Sequence, residues 1–443
     1  MTQEKDNARM LLLSDFSISL EKAVQYIADM ENHPEKVAAY NKLLMQNLSM
    51  QYETVKEKSL DQQIELVKER VKQWKETIGP VSLEEYVAIG RQWNVPIDCI
   101  IDQTLTPEVI KKMLDCFVIG QELYKTKLSV SFFTFLMQRN RPGLFLPKSN
   151  LLVCGPSGSG KTYGMQVLSQ LFHVPFYIVH CNSLVQEGIV GTSIVDAFTS
   201  LLSMGWDKEK IEHSVICFDE FDKLFEKDKT GQNSGAYNAR IINELLNVID
   251  DNGEVEFKES YDNNAKKLKI STRKMMFVFT GVFEGLALEK QKTEPETPAK
   301  KRTIGFKPDE MSNTVKEKTL SIEDEPSIED YIRFGVKAEI LGRIQNFVYL
   351  DQLSVDDLVR LFDLGTRSPF NEFERYFAAN RINAEITEDG KRMLAQLAID
   401  KKLGVRGLKS LLQQVLMEDM FDLEVGDDNL LKVTRQYILD NLK

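Results

Sequence analysis

One octapeptide constrains this chain more than any other stretch. Gly155-Pro156-Ser157-Gly158-Ser159-Gly160-Lys161-Thr162 fits G-x-x-x-x-G-K-[ST] at every fixed position. The apolar run Ser149 to Cys154 precedes it, and Met165, Leu168 and Phe172 follow at helical spacing. The glycines therefore lie between a buried strand and a helix N-terminus, the setting in which backbone N–H groups close around phosphates. Such a βα unit commits this region to a parallel sheet flanked by helices, because parallel strands need crossover helices on their faces. Lys161 supplies positive charge between β- and γ-phosphates, and the Thr162 hydroxyl is a ligand for Mg²⁺.

A second apolar run, Val215 to Phe218, ends in Asp219-Glu220, two carboxylates at the C-terminal edge of that sheet. Asp219 is predicted to hold the Mg²⁺ shell together with Thr162, and Glu220 to orient and polarise the attacking water. A third run, Met275 to Phe279, ends in Thr280, placed to sense the γ-phosphate or its water or to be an ordinary strand-end threonine. The expected cofactors are ATP and Mg²⁺.

Composition narrows the field further. At 443 residues, 42% hydrophobic and 28% charged, the chain falls near the globular average and is long enough for two to four domains. The formal charge of −11 disfavours nucleic acid and anionic lipid as partners. Neither a membrane-length apolar window nor a signal-peptide core is evident, so a cytoplasmic protein is expected. The five cysteines form no CxxC pair and the four histidines no HExxH, so reduced thiols are expected and any metal should arrive with a substrate. In the N-terminal region, Ser59 with Gln62 opens a helix carrying Leu60, Ile64, Val67, Val71, Trp74 and Ile78 on one face. That face serves either packing in a small bundle or a partner helix. Ser82 with Glu85, and Thr106 before Pro107, open two more helices.

Phe117-Val118-Ile119-Gly120-Gln121-Glu122, Ile216 to Lys223, Ala338 to Arg343 (AEILGR) and Gly404 to Leu408 (GVRGL), taken in order, resemble the AAA+ ATPases, and among them the ClpX family, with HslU a more distant relative. The resemblance runs from about Thr106 to the C-terminus. It implies that Val118 and Ile119 line an adenine pocket, that Arg343 is an arginine finger reaching the ATP of a neighbouring subunit in a homohexamer, and that Arg406 contacts the phosphates of its own subunit. It also places Ile189 and Val190, in Gly188 to Gly191, in a substrate-gripping pore loop whose second position is usually aromatic. Tyr237, near the polar stretch that starts at Lys227, would be a further pore contact. Ile304-Gly305-Phe306, in a polar insert of about 287–328 expected to be mobile, resembles the loop by which the family docks onto a ClpP-like peptidase.

Two departures stand out. The first 98 residues lack cysteine where the family carries a zinc module, so the N-terminal domain must have another partner. Glu254 to Ser271 contains no RKH triplet, though Lys266 and Lys267 keep positive charge there.

The predicted organisation is a helical accessory domain over 1–104, a large α/β AAA+ domain over 105–350, and a small, mainly helical domain over 351–443 in which Gly365 to Arg375 is a connection. The leading function is ATP-driven unfolding and translocation of protein substrates, delivered to a ClpP-like peptidase. The rivals are a stand-alone remodelling chaperone, a nucleotide-controlled assembly switch without threading, and, disfavoured by charge, a nucleic-acid motor.

Overall fold

Every apolar run that the sequence marks as a strand becomes one, in a computed structural model that describes residues 58–78, 80–141, 146–184, 193–226, 235–260, 266–284, 286, 325–364, 368–401, 403–423 and 429–442. The chain divides into two compact units, 1–116 with 165–175, and 117–164 with 176–443.

In the first unit, α1 (Leu60–Ile78) starts at a reciprocal cap in which Gln62 N donates to Ser59 Oγ and Ser59 N donates to Gln62 Oε1. Val67 and Val71 are buried on its apolar face and Ile64 is half-buried, whereas Leu60 is exposed. The Ser82–Glu85 capping box opens α2 (Leu83–Gln92), and Thr106 caps α3 (Pro107–Asp115). Between them Asp102 accepts from both Lys75 and Tyr86, whose burial pushes the phenol up to about 12.

The second unit begins with α4 (Glu122–Asn140) and is built on β1 (Leu151–Cys154), β2 (Phe176–His180), β3 (Val215–Asp219), β6 (Met276–Gly281) and β7 (Asn346–Tyr349). In chain order α5 (Tyr163–Leu171) follows β1 and from Met165 belongs to the first unit, and α6 (Gly235–Ile249) follows β3. The five strands are all parallel in the order β2-β3-β6-β1-β7. A central strand of such a sheet is covered on both faces, which is why β1 and β6 read as continuous apolar runs and are buried throughout. Phe218 and Phe279, on neighbouring strands, stack with centroids 5.3 Å apart beneath the strand ends that carry Asp219 and Thr280.

The segment Glu254 to Ser271 is a hairpin of β4 (Glu254–Lys258) and β5 (Lys267–Ser271), pairing Val255 with Ile270 and Phe257 with Leu268. The polar insert ends earlier than 328. Glu325 accepts Lys127 Nζ at 3.0 and 3.1 Å, and Ser327 caps a helix over Ile328–Phe334, so these residues belong to the folded domain.

The C-terminal part contains α7 (Val355–Phe362), α8 (Asn371–Ala379), α9 (Glu388–Asp400) and α10 (Gly404–Val415), with a small parallel pair of strands, Asn383–Ile386 and Leu430–Val433. The connection expected over 365–375 is helical from Asn371, because Phe370, Phe373 and Phe377 recur on one face and enter the core around Leu394, Leu408 and Leu412. Among the described residues no helix is long and apolar enough to cross a membrane.

Candidate nucleotide site

The turn after β1 is built from backbone conformations that side chains resist. Gly155, Gly158 and Gly160 have φ of +148°, +76° and +90°. A Cβ on Gly155 would lie 2.5 Å from Leu350 O, after the neighbouring strand β7, so glycine is required there by contact as well as conformation. Lys161 folds over this turn, its ammonium donating to Gly155 O at 2.9 Å and Pro156 O at 2.8 Å. The Lys161 carbonyl accepts from the buried Tyr124 hydroxyl at 2.8 Å, which fastens the end of the turn to α4.

The acid pair stands at the adjacent strand end. Thr280 Oγ1 donates to Asp219 Oδ1, and His180 Nδ1 lies 3.9 Å from the other oxygen of that carboxylate. Glu220 is exposed and held in the left-handed region (φ +55°, ψ +39°). For a residue other than glycine this conformation costs about 1–2 kcal/mol, strain of the kind that concentrates at functional sites. Asp222 is a site residue for which the sequence predicts no role. It is buried, accepts Phe283 N at 3.0 Å, and would collide with a Cβ on Gly281, so it ties the turn after Asp219 to the end of β6. Burial raises its proton affinity above the ordinary carboxylate value. The signal was present in the second aspartate of Asp219-Glu220-Phe221-Asp222.

Charges converge on Lys161. Burial lowers its proton affinity from the ordinary lysine value, Asp219 and Asp222 oppose that shift, and Arg406 adds to it. Arg406 is exposed in the first turn of α10. That helix begins against the phosphate-binding turn: a Cβ on Gly158 would lie 3.3 Å from Val405 N, and one on Gly404 3.0 Å from Ser157 O. Val118 is buried and Ile119 half-buried in the loop before α4. Gln121 in the same loop donates to Asp351 O at 2.8 Å, and Gln352 and Leu353 line a small cleft with Pro156 to Ser159. The structure therefore gathers the Gly155 to Thr162 turn, Asp219, Glu220, Thr280 and Arg406 about one strand edge, with the Val118–Ile119 loop tied to the segment beside it.

Arg343 lies elsewhere. Its carbonyl accepts from Asn150 Nδ2 at 2.8 Å, and Asn150 precedes β1 whereas Gly155 follows it. Five residues of extended strand at about 3.3 Å each separate the two ends by roughly 16 Å. The Arg343 guanidinium instead pairs with Asp250 at 2.8 Å. Ile189, Val190, Ile304, Gly305 and Phe306 lie outside the described residues, as does the side chain of Tyr237. All five cysteines are free thiols, and among the described residues no His, Cys, Asp and Glu cluster could hold a metal.

Residues 151–280 match the family described as "ATPase family associated with various cellular activities (AAA)", and residues 353–429 match the C-terminal, D2-small domain of ClpB protein. The chain is an ATPase, and its residues 151–280 carry an AAA-type domain with the nucleotide-binding α/β fold. The chain is similar to ClpX. It is 29% identical over 325 residues to the ATP-dependent Clp protease ATP-binding subunit ClpX of Treponema denticola, covering 72% of this chain and 77% of the relative. To ClpX of Porphyromonas gingivalis it is 28% identical, with 75% and 81% covered, and to ClpX 2 of Wolinella succinogenes 26% identical, with 76% and 82% covered.

Proposed function

We propose that this chain is an ATP-driven protein unfoldase and translocase that works as a cytoplasmic homohexamer and hands its substrates to a ClpP-like peptidase. The observation that supports this reading is that Arg343 lies at the opposite end of β1 from its own Gly155 to Thr162 turn, which fits a charge supplied to the site of a second copy.

The residues present fit a nucleotide with Mg²⁺. Three glycines open the turn to phosphate oxygens, and Thr162 and Asp219 offer the oxygen donors that Mg²⁺ prefers. Bound there, the ion would neutralise charge on the phosphates. Lys161 exchanges its two carbonyl partners for β- and γ-phosphate oxygens, and Val118 and Ile119 provide apolar contact for adenine. Glu220 polarises the attacking water, Thr280 and Asp219 hold each other in position beside it, and Arg343 of the neighbouring copy stabilises charge in the transition state. Arg406 reports the phosphate state to the C-terminal domain through α10, and a rotation of that domain is what drives the pore loop carrying Ile189 and Val190 along a polypeptide.

The test is ATP-dependent unfolding of a tagged, folded substrate, with and without a ClpP-type peptidase. Unfolding that stops in Glu220→Gln supports the motor. Ile304→Ser with Phe306→Ser should keep unfolding and lose degradation, because six weakened contacts multiply in a sixfold dock. Degradation that continues undiminished removes the peptidase from the reading and leaves a stand-alone chaperone. Ile189 in place of an aromatic favours a second reading, a nucleotide-controlled assembly switch, and absence of any unfolding by an active ATPase would favour it.

A further inference from the structure

Arg343 is held by a constellation that the nucleotide chemistry does not use. Its Nε and Nη2 both donate to Asp250 Oδ2, at 3.3 and 2.8 Å, and its Nη1 donates to Glu339 O at 2.8 Å. A guanidinium has five N–H groups, so this arrangement occupies one edge of the fork and leaves two N–H groups on Nη1 and Nη2 for another acceptor.

The support beneath Asp250 is equally specific. Asp250 follows the last residue of α6, where carbonyls lack helical partners. The buried Lys148 ammonium donates to Ile249 O at 3.1 Å and Asp250 O at 2.6 Å, capping that end. Asn150, also buried, donates to Arg343 O at 2.8 Å and accepts Phe277 N at 3.0 Å, so the main chain of Arg343 is fastened to the sheet. Main chain on both sides of the ion pair is thus anchored, and the ion pair itself is half-exposed.

We propose that Asp250 is a positioning residue for Arg343: it seats the guanidinium so that the two remaining N–H groups face the nucleotide phosphate of a neighbouring copy. This rests on the reading of Arg343 as acting on the neighbour's site. The carboxylate orients without neutralising the partnership, because a γ-phosphate carries more charge than one carboxylate and competes for the free fork rather than for the occupied edge. In this proposal Asp250 acts through Arg343 alone.

The test compares ATPase rates of full-length Arg343→Ala, Asp250→Ala and Asp250→Asn, each alone and in rings shown to contain both that variant and Glu220→Gln subunits. Asp250→Ala alone should lose on the order of 10- to 100-fold in kcat, the range expected from misplacing a reacting group by about 1 Å, with KM for ATP little changed. Asp250→Asn, which keeps the shape and one acceptor oxygen, should lose less and controls for misfolding. In mixed rings Asp250→Ala should recover activity as Arg343→Ala does, because its own intact site receives a properly seated Arg343 from the Glu220→Gln neighbour. A merely structural defect would stay in the mutated subunit and show no such rescue. Asp250→Ala at the wild-type rate while Arg343→Ala is impaired would overturn the proposal, as would an Asp250→Ala defect that mixing does not repair. Arg343→Ala at the wild-type rate is a different pattern, which removes the shared-site reading and the proposal with it.

Discussion

Gly158 of the phosphate-binding turn and Gly404 at the head of α10 pack closely against each other: a Cβ on Gly158 would lie 3.4 Å from Gly404 Cα, and one on Gly404 the same distance from Gly158 Cα. The nucleotide turn and the head of α10 thus meet main chain to main chain.

Gly404 has φ +57°, so a side chain there adds about 1–2 kcal/mol of backbone strain to the steric push against Ser157 O. Gly404→Val should therefore weaken nucleotide binding and uncouple hydrolysis from substrate unfolding. Titration with a fluorescent ATP analogue checks this, and an unchanged Kd would show that the contact is passive.

Lys161 and Glu220 should separate binding from turnover. Lys161→Ala removes the ammonium now held by Gly155 O and Pro156 O and should abolish nucleotide binding, while Glu220→Gln should keep ATP bound and block hydrolysis. Equal loss of binding in both variants would contradict the assigned roles.

Asp222 is expected to matter for stability. Asp222→Ala leaves the buried Phe283 N–H without its acceptor and should destabilise by about 1–3 kcal/mol. Asp222→Asn retains an acceptor oxygen and should lie closer to wild type. Thermal unfolding midpoints decide between them; identical values for the two variants would mean that the hydrogen bond to Phe283 contributes nothing.

Lys148 carries a pH dependence whose sign follows from its burial. Desolvation brings its pKa down from 10.5 to about 8, with Asp250 and Asp251 resisting and Arg343 assisting. Between about 8 and 10.5 the unfolded chain binds more protons at this lysine than the folded one, so stability rises with pH across that window. Below it both states are protonated and the burial cost is fully present. Wild type should thus gain stability relative to Lys148→Met as pH increases from 8 towards 10. A wild-type melting temperature that does not rise relative to that of the variant across this range would contradict the burial of a charged amine.

Much of the site was legible in the residues alone because its chemistry is local. The spacing of Gly155, Gly160 and Lys161 dictates a phosphate-sized turn whatever surrounds it, and the Asp219-Glu220 pair closing an apolar run is bound to emerge at a strand end. Helix starts at Ser59, Ser82 and Thr106 were likewise determined within four residues of chain. The connection expected over 365–375 is instead helical from Asn371, because burial of Phe370, Phe373 and Phe377 in a shared core outweighed the glycine and proline before them.

The relationships that turn these parts into a coupled site were decided only by the tertiary structure. Asp250 and Arg343 are 93 positions apart, and nothing in either neighbourhood announces the other. They meet because the parallel sheet brings the end of α6 and the approach to β7 to one edge, where Lys148 and Asn150 fasten both backbones. Asp222 reaches Phe283, and Gly404 reaches Gly158, for the same reason. A sequence determines backbone preference and side-chain chemistry residue by residue, but ion pairs and close main-chain contacts depend on distances that exist only after strands have paired and domains have packed.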